Sequence, residues 1–295
     1  MNIVLEIEAR AELGEGPFWD QDENKLYWVD ILKNKLHIFD PETKKGKAIE
    51  FPIPVCAVAK SNTGHLILAL KDGIYFYNEE TEELTVAAKP DVLEEENRFN
   101  DAKCDPQGRF WAGTMNMNGK KHQGELYCFH QDGTLEKVLT GVSISNGLGW
   151  DVNRRKMYYI DTPTQQIVSY DFDETSGMIS NKNVVYTFDI TDGSPDGMTI
   201  DSEGMLWVAL WGGSKVARIN PVTSEWLFTI NVPASLVTSC VFGGEDLQTL
   251  YITTASIGLT EEELQEQPYA GGLFSIRLDA KGTRSYSFKK MKALK

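Results

Sequence analysis

The chain has 295 residues, a formal net charge of −14 at pH 7 and the hydrophobic and aromatic content of a soluble globular protein. This acidic balance argues against nucleic acid, whose phosphates require a basic stripe, and accommodates a metal cation or a neutral substrate as well as a plain solubility role. The start, Met1-Asn2-Ile3-Val4-Leu5-Glu6, has no basic segment, apolar run or cleavage site, and no apolar run reaches membrane-span length. A soluble cytoplasmic protein without membrane contact is therefore expected.

Taken in order, the chain begins with a strand-like stretch from Ile3 to Ala9, followed by the turn Gly14-Glu15-Gly16-Pro17. Short aromatic and branched runs then recur, each read as a strand: Leu26-Tyr27-Trp28-Val29-Asp30, Leu66-Ile67-Leu68-Ala69, Phe110-Trp111-Ala112-Gly113, Met157-Tyr158-Tyr159-Ile160-Asp161, Leu206-Trp207-Val208-Ala209 and Leu250-Tyr251-Ile252-Thr253. Their starts are roughly 40 to 49 residues apart, the period of a propeller blade. Three of them follow the same kind of turn, Ser61-Asn62-Thr63-Gly64, Asp105-Pro106-Gln107-Gly108 and Asp201-Ser202-Glu203-Gly204. About six units of about four antiparallel strands fill the chain, which predicts an all-β, six-bladed β-propeller forming a single domain over 1–295. Another toroid or a pair of sandwiches is the alternative, and the Gly-His to Trp-Asp signature of the commonest propeller repeat is missing. The acidic stretch Thr260 to Gln265 is the best helix candidate. Because an open sheet edge invites aggregation, Ile3 to Ala9 is expected to close the ring on the last blade, near Gly272 to Leu278 or Ser285 to Phe288.

Counting back roughly 10 or 11 residues from each aromatic run gives the positions expected on the innermost strands. They are Glu15, Cys56, Asn100, Asn146, Asp196 and the pair Ser239-Cys240, and in a propeller they converge on the central channel. Taken singly, Asn146 in Ser145-Asn146-Gly147 and Asp196 in Pro195-Asp196-Gly197 read as turn residues. Together with Glu15 they form an oxygen-only set that suits a hard divalent cation, Ca2+ or Mg2+, with Mn2+ and Zn2+ also fitting. A water-filled polar channel fits the spacing equally well. Arg98 and Asn100, in Asn97-Arg98-Phe99-Asn100-Asp101, are expected to reach the same cup, where their donors suit a polyhydroxylated or carboxylated ligand; otherwise Arg98 neutralises Asp101 or Glu96. The polar loop from Met115 to Gly124 is a candidate lid. The four histidines form no cluster, the four cysteines form no Cys-x-x-Cys pair, and neither a Gly-x-Ser-x-Gly nor a His-Glu-x-x-His motif is present.

Several of these segments resemble the regucalcin (senescence marker protein 30) and gluconolactonase family. They are Gly14-Glu15-Gly16-Pro17, Arg98-Phe99-Asn100-Asp101, Asp105-Pro106-x-Gly108-Arg109, Ala112-Gly113-Thr114-Met115, Ser145-Asn146-Gly147-Leu148, Pro195-Asp196-Gly197-Met198 and Ser239-Cys240-x-Phe242-Gly243-Gly244, and the likeness continues to Pro268-Tyr269-Ala270-Gly271-Gly272. The resemblance implies a six-bladed propeller with one divalent cation, Ca2+ foremost, held by Glu15, Asn146 and Asp196. It implies hydrolysis of a small-molecule sugar lactone, with Arg98 and Asn100 holding substrate oxygens; no obligate protein partner is evident in the sequence. In the mechanism expected from it, the cation polarises the lactone carbonyl and Asp196 is the general base. Lys120 stands where the family's animal member carries a substrate-facing Glu, which leaves the lactone open. The alternatives are a Ca2+- or ligand-binding propeller without turnover and a related lactonase or esterase with a non-sugar substrate.

Overall fold

The structure, a computed structural model, describes residues 2–291. It is a six-bladed β-propeller of six four-stranded antiparallel sheets. Blades 1 to 5 each use four consecutive strands, and the innermost strands are Gly14–Asp20, Val55–Lys60, Asn97–Cys104, Ser145–Asp151 and Ser194–Ile200. Blade 6 takes three consecutive strands, from Val237–Gly243 at the channel outward to Leu273–Arg277, and its fourth is the N-terminal Val4–Ile7, which pairs antiparallel with Leu273–Arg277. The six inner strands touch one another in a closed ring. Each inner strand is the inner edge of its sheet and is flanked by the inner strands of the two neighbouring blades, which fixes where its channel-facing side chains sit.

The aromatic runs are the second strands of the blades, and the core lies between neighbouring blades rather than at the axis. Trp207 of blade 5 packs edge-on against Phe242 of blade 6 with ring centroids 5.6 Å apart, and Trp111 of blade 3 meets Trp150 of blade 4 at 6.0 Å. Such contacts turn each blade face into the template for the next, because a buried aromatic removes a large apolar area and tolerates few alternative seatings. The helix Glu261–Glu266, inserted in blade 6, starts with a capping box between Thr260 and Glu263. Beyond Arg277 the chain crosses to other blades: Gly282 bridges Asp201, and Phe288 forms a parallel bridge with Ser61 and stacks on Phe129. Among the described residues no helix is long and apolar enough to cross a membrane.

The recurring turns are anchored by their first residue. In blade 3, Asp105 Oδ1 accepts the backbone N–H groups of Gln107, Gly108 and Arg109, while Oδ2 accepts Arg109 Nε at 2.5 Å and Trp111 Nε1 at 3.0 Å. In blade 5, Asp201 repeats this with Glu203, Met205, Trp207 Nε1 and Arg218. Gly108 and Gly204 close the two turns at φ +89° and +77°, where an L side chain is strained. Each aspartate thus ties a turn to the tryptophan that seals the blade interface. Replacing Asp105 by Ala strands a buried guanidinium and an indole N–H, and is expected to cost about 3 to 5 kcal/mol in urea denaturation, with Asp105→Asn in between. A loss under about 1 kcal/mol would contradict this role.

Candidate active site

Every inner strand carries a register irregularity, and each one falls at a position reached by counting back from the aromatic runs. The ladder shifts between Glu15 and Phe18, Val55 and Ala57, Phe99 and Ala102, Asn146 and Leu148, Pro195 and Met198, and Val237 and Ser239. A bulge breaks strict alternation and re-aims side chains. The close approach it needs is met by glycine: a Cβ on Gly197 would lie 2.1 Å from Ser239 Oγ, and one on Gly147 would lie 2.8 Å from the Asp196 carbonyl oxygen. The result is a polar cup in which Glu15, Arg98, Asn100, Asp101, Asn146 and Asp196 are only 4 to 6% exposed.

A directional hydrogen-bond chain runs along one wall of the cup. Arg98 Nη1 donates to Asn100 Oδ1 (2.6 Å) and to the Phe99 carbonyl. Asn100 Nδ2 donates to the Ser145 carbonyl (2.8 Å) and to Asn146 Oδ1 (3.0 Å). Asn146 Nδ2 donates to Thr162 Oγ1 (2.8 Å), and that hydroxyl donates to the Pro195 carbonyl (2.8 Å), one residue before Asp196. Blades 3, 4 and 5 are linked in this way. The strand entries are held similarly, since Asp161 accepts the N–H groups of Ser143 and Ile144 just before Asn146, and Asp30 accepts those of Glu12 and Leu13 just before Glu15.

The other wall is acidic. The Glu15 and Asp196 carboxyls are near enough to shift each other's titration, so ionising both is disfavoured when no cation is present. Burial first, then the charge of Asp101, pushes Glu15 up to about 8, against the opposing pull of the Gly16 N–H and of Arg98. Burial and the charges of Glu15 and Asp101 push Asp196 well above the carboxylate range. Asp196 Oδ1 and Asp101 Oδ2 are buried without a hydrogen-bond partner. Unpartnered buried carboxylate oxygens are costly, and they mark the place where a ligand would satisfy the cup.

Sequence reasoning missed three residues of this site. Asp101 enters the cup because the Phe99/Ala102 bulge turns it inward beside Asn100. Lys103 donates to the Met198 carbonyl at 2.6 Å on the inner side of the channel, where burial lowers its pKa against the pull of Asp101. It lines a cavity of about 50 Å3 closed by residues Thr283 to Tyr286. Thr162, the link in the chain, sits in a turn rather than a strand, and only its place after the run ending in Asp161 could have pointed to it. At blade 6 it is Ser239 that lines the channel, while Cys240 packs into the core and its thiol contacts the Trp207 carbonyl. Cys56 lies beside Arg98, and burial pushes its thiol up to about 11. Glu96 pairs with Lys120 (2.6 Å) rather than with Arg98. The polar loop is tied down by Met117 N–H to Glu96 and by His122 N–H to Ser143 Oγ. No histidine enters the cup: His37 stacks on Trp28, His65 faces Asn78, His122 bonds Gly141 and His130 pairs with Glu136. Among the described residues, no three His, Cys, Asp or Glu side chains are grouped as metal ligands.

A ring of six blades around a buried, oxygen-lined acidic cup defines the class of protein. Residues 13–256 match the family model described as "SMP-30/Gluconolactonase/LRE-like region", and the chain belongs to that family. It is 53% identical over 288 residues to the Bacillus subtilis (strain 168) protein named "Putative sugar lactone lactonase YvrE", covering 98% of this chain and 99% of that one. It is 37% identical to the regucalcin of Xenopus laevis, with 98% of each chain covered. Among solved structures it resembles a calcium-binding protein, regucalcin, from Agrobacterium tumefaciens str. C58, with a TM-score of 0.92, 26% identity and 96% of both chains covered.

The raised carboxyls set the pH dependence of stability in cation-free protein. Between the unfolded glutamate value of 4.5 and about 8, folded Glu15 keeps a proton that the unfolded chain has released. Stability should therefore fall as pH rises through this window, by about 1.4 kcal/mol per unit for each retained proton. Urea denaturation in chelator from pH 5 to 9 measures the slope, and Glu15→Gln is expected to flatten it and to be the more stable protein at pH 8. Superimposable profiles for the parent and Glu15→Gln would contradict the assignment.

Proposed function

We propose that this protein hydrolyses sugar lactones and does so with one divalent cation, Ca2+ foremost, held by Glu15, Asn146 and Asp196. The observation that carries the reading is the unpartnered Asp196 Oδ1 in a buried cup that also holds Glu15, Arg98, Asn100 and Asn146. The donor set fits a hard cation, since it offers two carboxylates and an amide oxygen with no imidazole or thiolate among them. Membership of the gluconolactonase family and the likeness to YvrE support the substrate class. When bound, the cation would supply Lewis-acid polarisation of the lactone carbonyl.

The chain's own residues do the rest. Arg98, fixed by the Phe99 carbonyl and Asn100, orients the lactone's hydroxyl groups, and Asn100 is fixed in turn by Ser145 and Asn146. Asp196, once ionised, accepts a proton from the attacking water. The water oxygen bonds to the carbonyl carbon, the ring C–O bond opens, and the same proton passes to the leaving ring oxygen, giving the open-chain hydroxy acid. Glu15, a ligand of the cation in this reading, takes no part in bond making. Cys56, kept neutral by burial, is not a competing nucleophile.

Acid release from a panel of neutral and acidic aldonolactones, with cation and then with chelator, tests the reading. Cation-dependent hydrolysis is expected, and Asp196→Asn should lower kcat by about 1,000-fold or more. Hydrolysis by Asp196→Asn at the parent rate would remove it as the base. Cation binding with no hydrolysis of any lactone would make the protein a binder rather than an enzyme.

A further inference from the structure

The hydrogen-bond chain across blades 3 to 5 has a polarity that its ends determine. At one end the Arg98 guanidinium can only donate, and at the other the Pro195 carbonyl can only accept. Between them each amide must receive on its oxygen and donate from its nitrogen, so Asn100 Oδ1 faces Arg98 and Asn146 Nδ2 faces Thr162. Asn146 Oδ1 takes one bond, from Asn100, and keeps a lone pair beyond it. The Thr162 hydroxyl is the element that closes this order. It accepts from Asn146 and donates to the residue before Asp196, both at 2.8 Å, and its own N–H is held by the Ile144 carbonyl at 3.1 Å.

We propose that Thr162 is a positioning residue for the cation site, setting which face of the Asn146 amide meets the cup and fixing the backbone that carries Asp196. It touches neither substrate nor cation. Without its oxygen, Asn146 Nδ2 loses its acceptor and only the bond from Asn100 Nδ2 to Oδ1 still orients the amide, so a turned amide, whose NH2 repels a cation where an oxygen binds it, competes more easily. The same loss frees the Pro195 carbonyl at the edge of the Pro195/Met198 bulge. Partners of this kind, one bond removed from a ligand, typically change cation affinity or activity by about 10 to 100-fold.

The inference rests on the cation-dependent reading of the site, and the test separates the two. Thr162→Val keeps the shape and removes both hydrogen bonds; Thr162→Ser keeps the hydroxyl. Calorimetric titration of Ca2+ into the substrate-free full chain should show Kd weakened about 10 to 100-fold in Thr162→Val and within about threefold of the parent in Thr162→Ser. At saturating Ca2+, KM for the lactone should stay within about threefold while kcat falls, because Arg98 and Asn100 keep their other partners. In an Asn146→Asp background, whose carboxylate presents an oxygen either way round, Thr162→Val should weaken Ca2+ binding by less than about threefold, a coupling that a merely structural role would not produce. Should Thr162→Val not fold, Thr162→Ala is read by the same criteria. Parent-like Ca2+ affinity in the folded valine or alanine variant, equal impairment of the serine variant, or an undiminished effect in the Asn146→Asp background overturns the inference. A parent that binds no divalent cation overturns the site reading together with it.

Discussion

Glu15, Asp101 and Asp196 are buried in one cup, and the rest of the structure has to make that tolerable. Three ionised carboxylates so close together and so dry would repel one another strongly, and the pKa shifts of Glu15 and Asp196 express that strain as retained protons. Positive charge is supplied only at the flanks, by Arg98 on one strand position and by Lys103 on the inner side. Two unpartnered carboxylate oxygens remain. On the proposed reading, protons and a cation compete for a site with this imbalance.

The propeller holds the imbalance in place. Its inner strands are locked between neighbours in a closed ring, and aspartate-anchored turns and inter-blade aromatics fix each blade before any polar residue enters the channel. Bulges at all six inner strands then turn side chains that strict alternation would bury between blades. The chain of donors from Arg98 through Asn100, Asn146 and Thr162 to Pro195 gives the cup an orientation as well as a composition. Rigid strands, rather than loops, therefore set the distances on which the proposed chemistry depends.

Much of this was legible because a repeat converts spacing into geometry. The aromatic runs mark second strands, and a fixed offset from them finds Glu15, Asn100, Asn146 and Asp196 on the inner ones. The offset fails where the backbone departs from period two. Asp101 follows an inward-facing asparagine, so alternation alone assigns it to the opposite face, and only the bulge brings it in. Cys240 and Ser239 are adjacent, and the offset cannot say which one lines the channel. Thr162 lies in a short turn, and Lys103 acts across the channel on a carbonyl two blades away, contacts that no local pattern encodes. The path of Gly282 to Phe288 over four other blades likewise has no periodic signature.

The account turns on the cup exchanging a proton for a cation. Calorimetric titration of Ca2+ at pH 6.5, repeated in buffers of different ionisation enthalpy, counts the protons released on binding. One or more protons per cation are predicted, because Glu15 and Asp196 share at least one in the cation-free state. A binding heat independent of the buffer, with no proton released, would contradict the account.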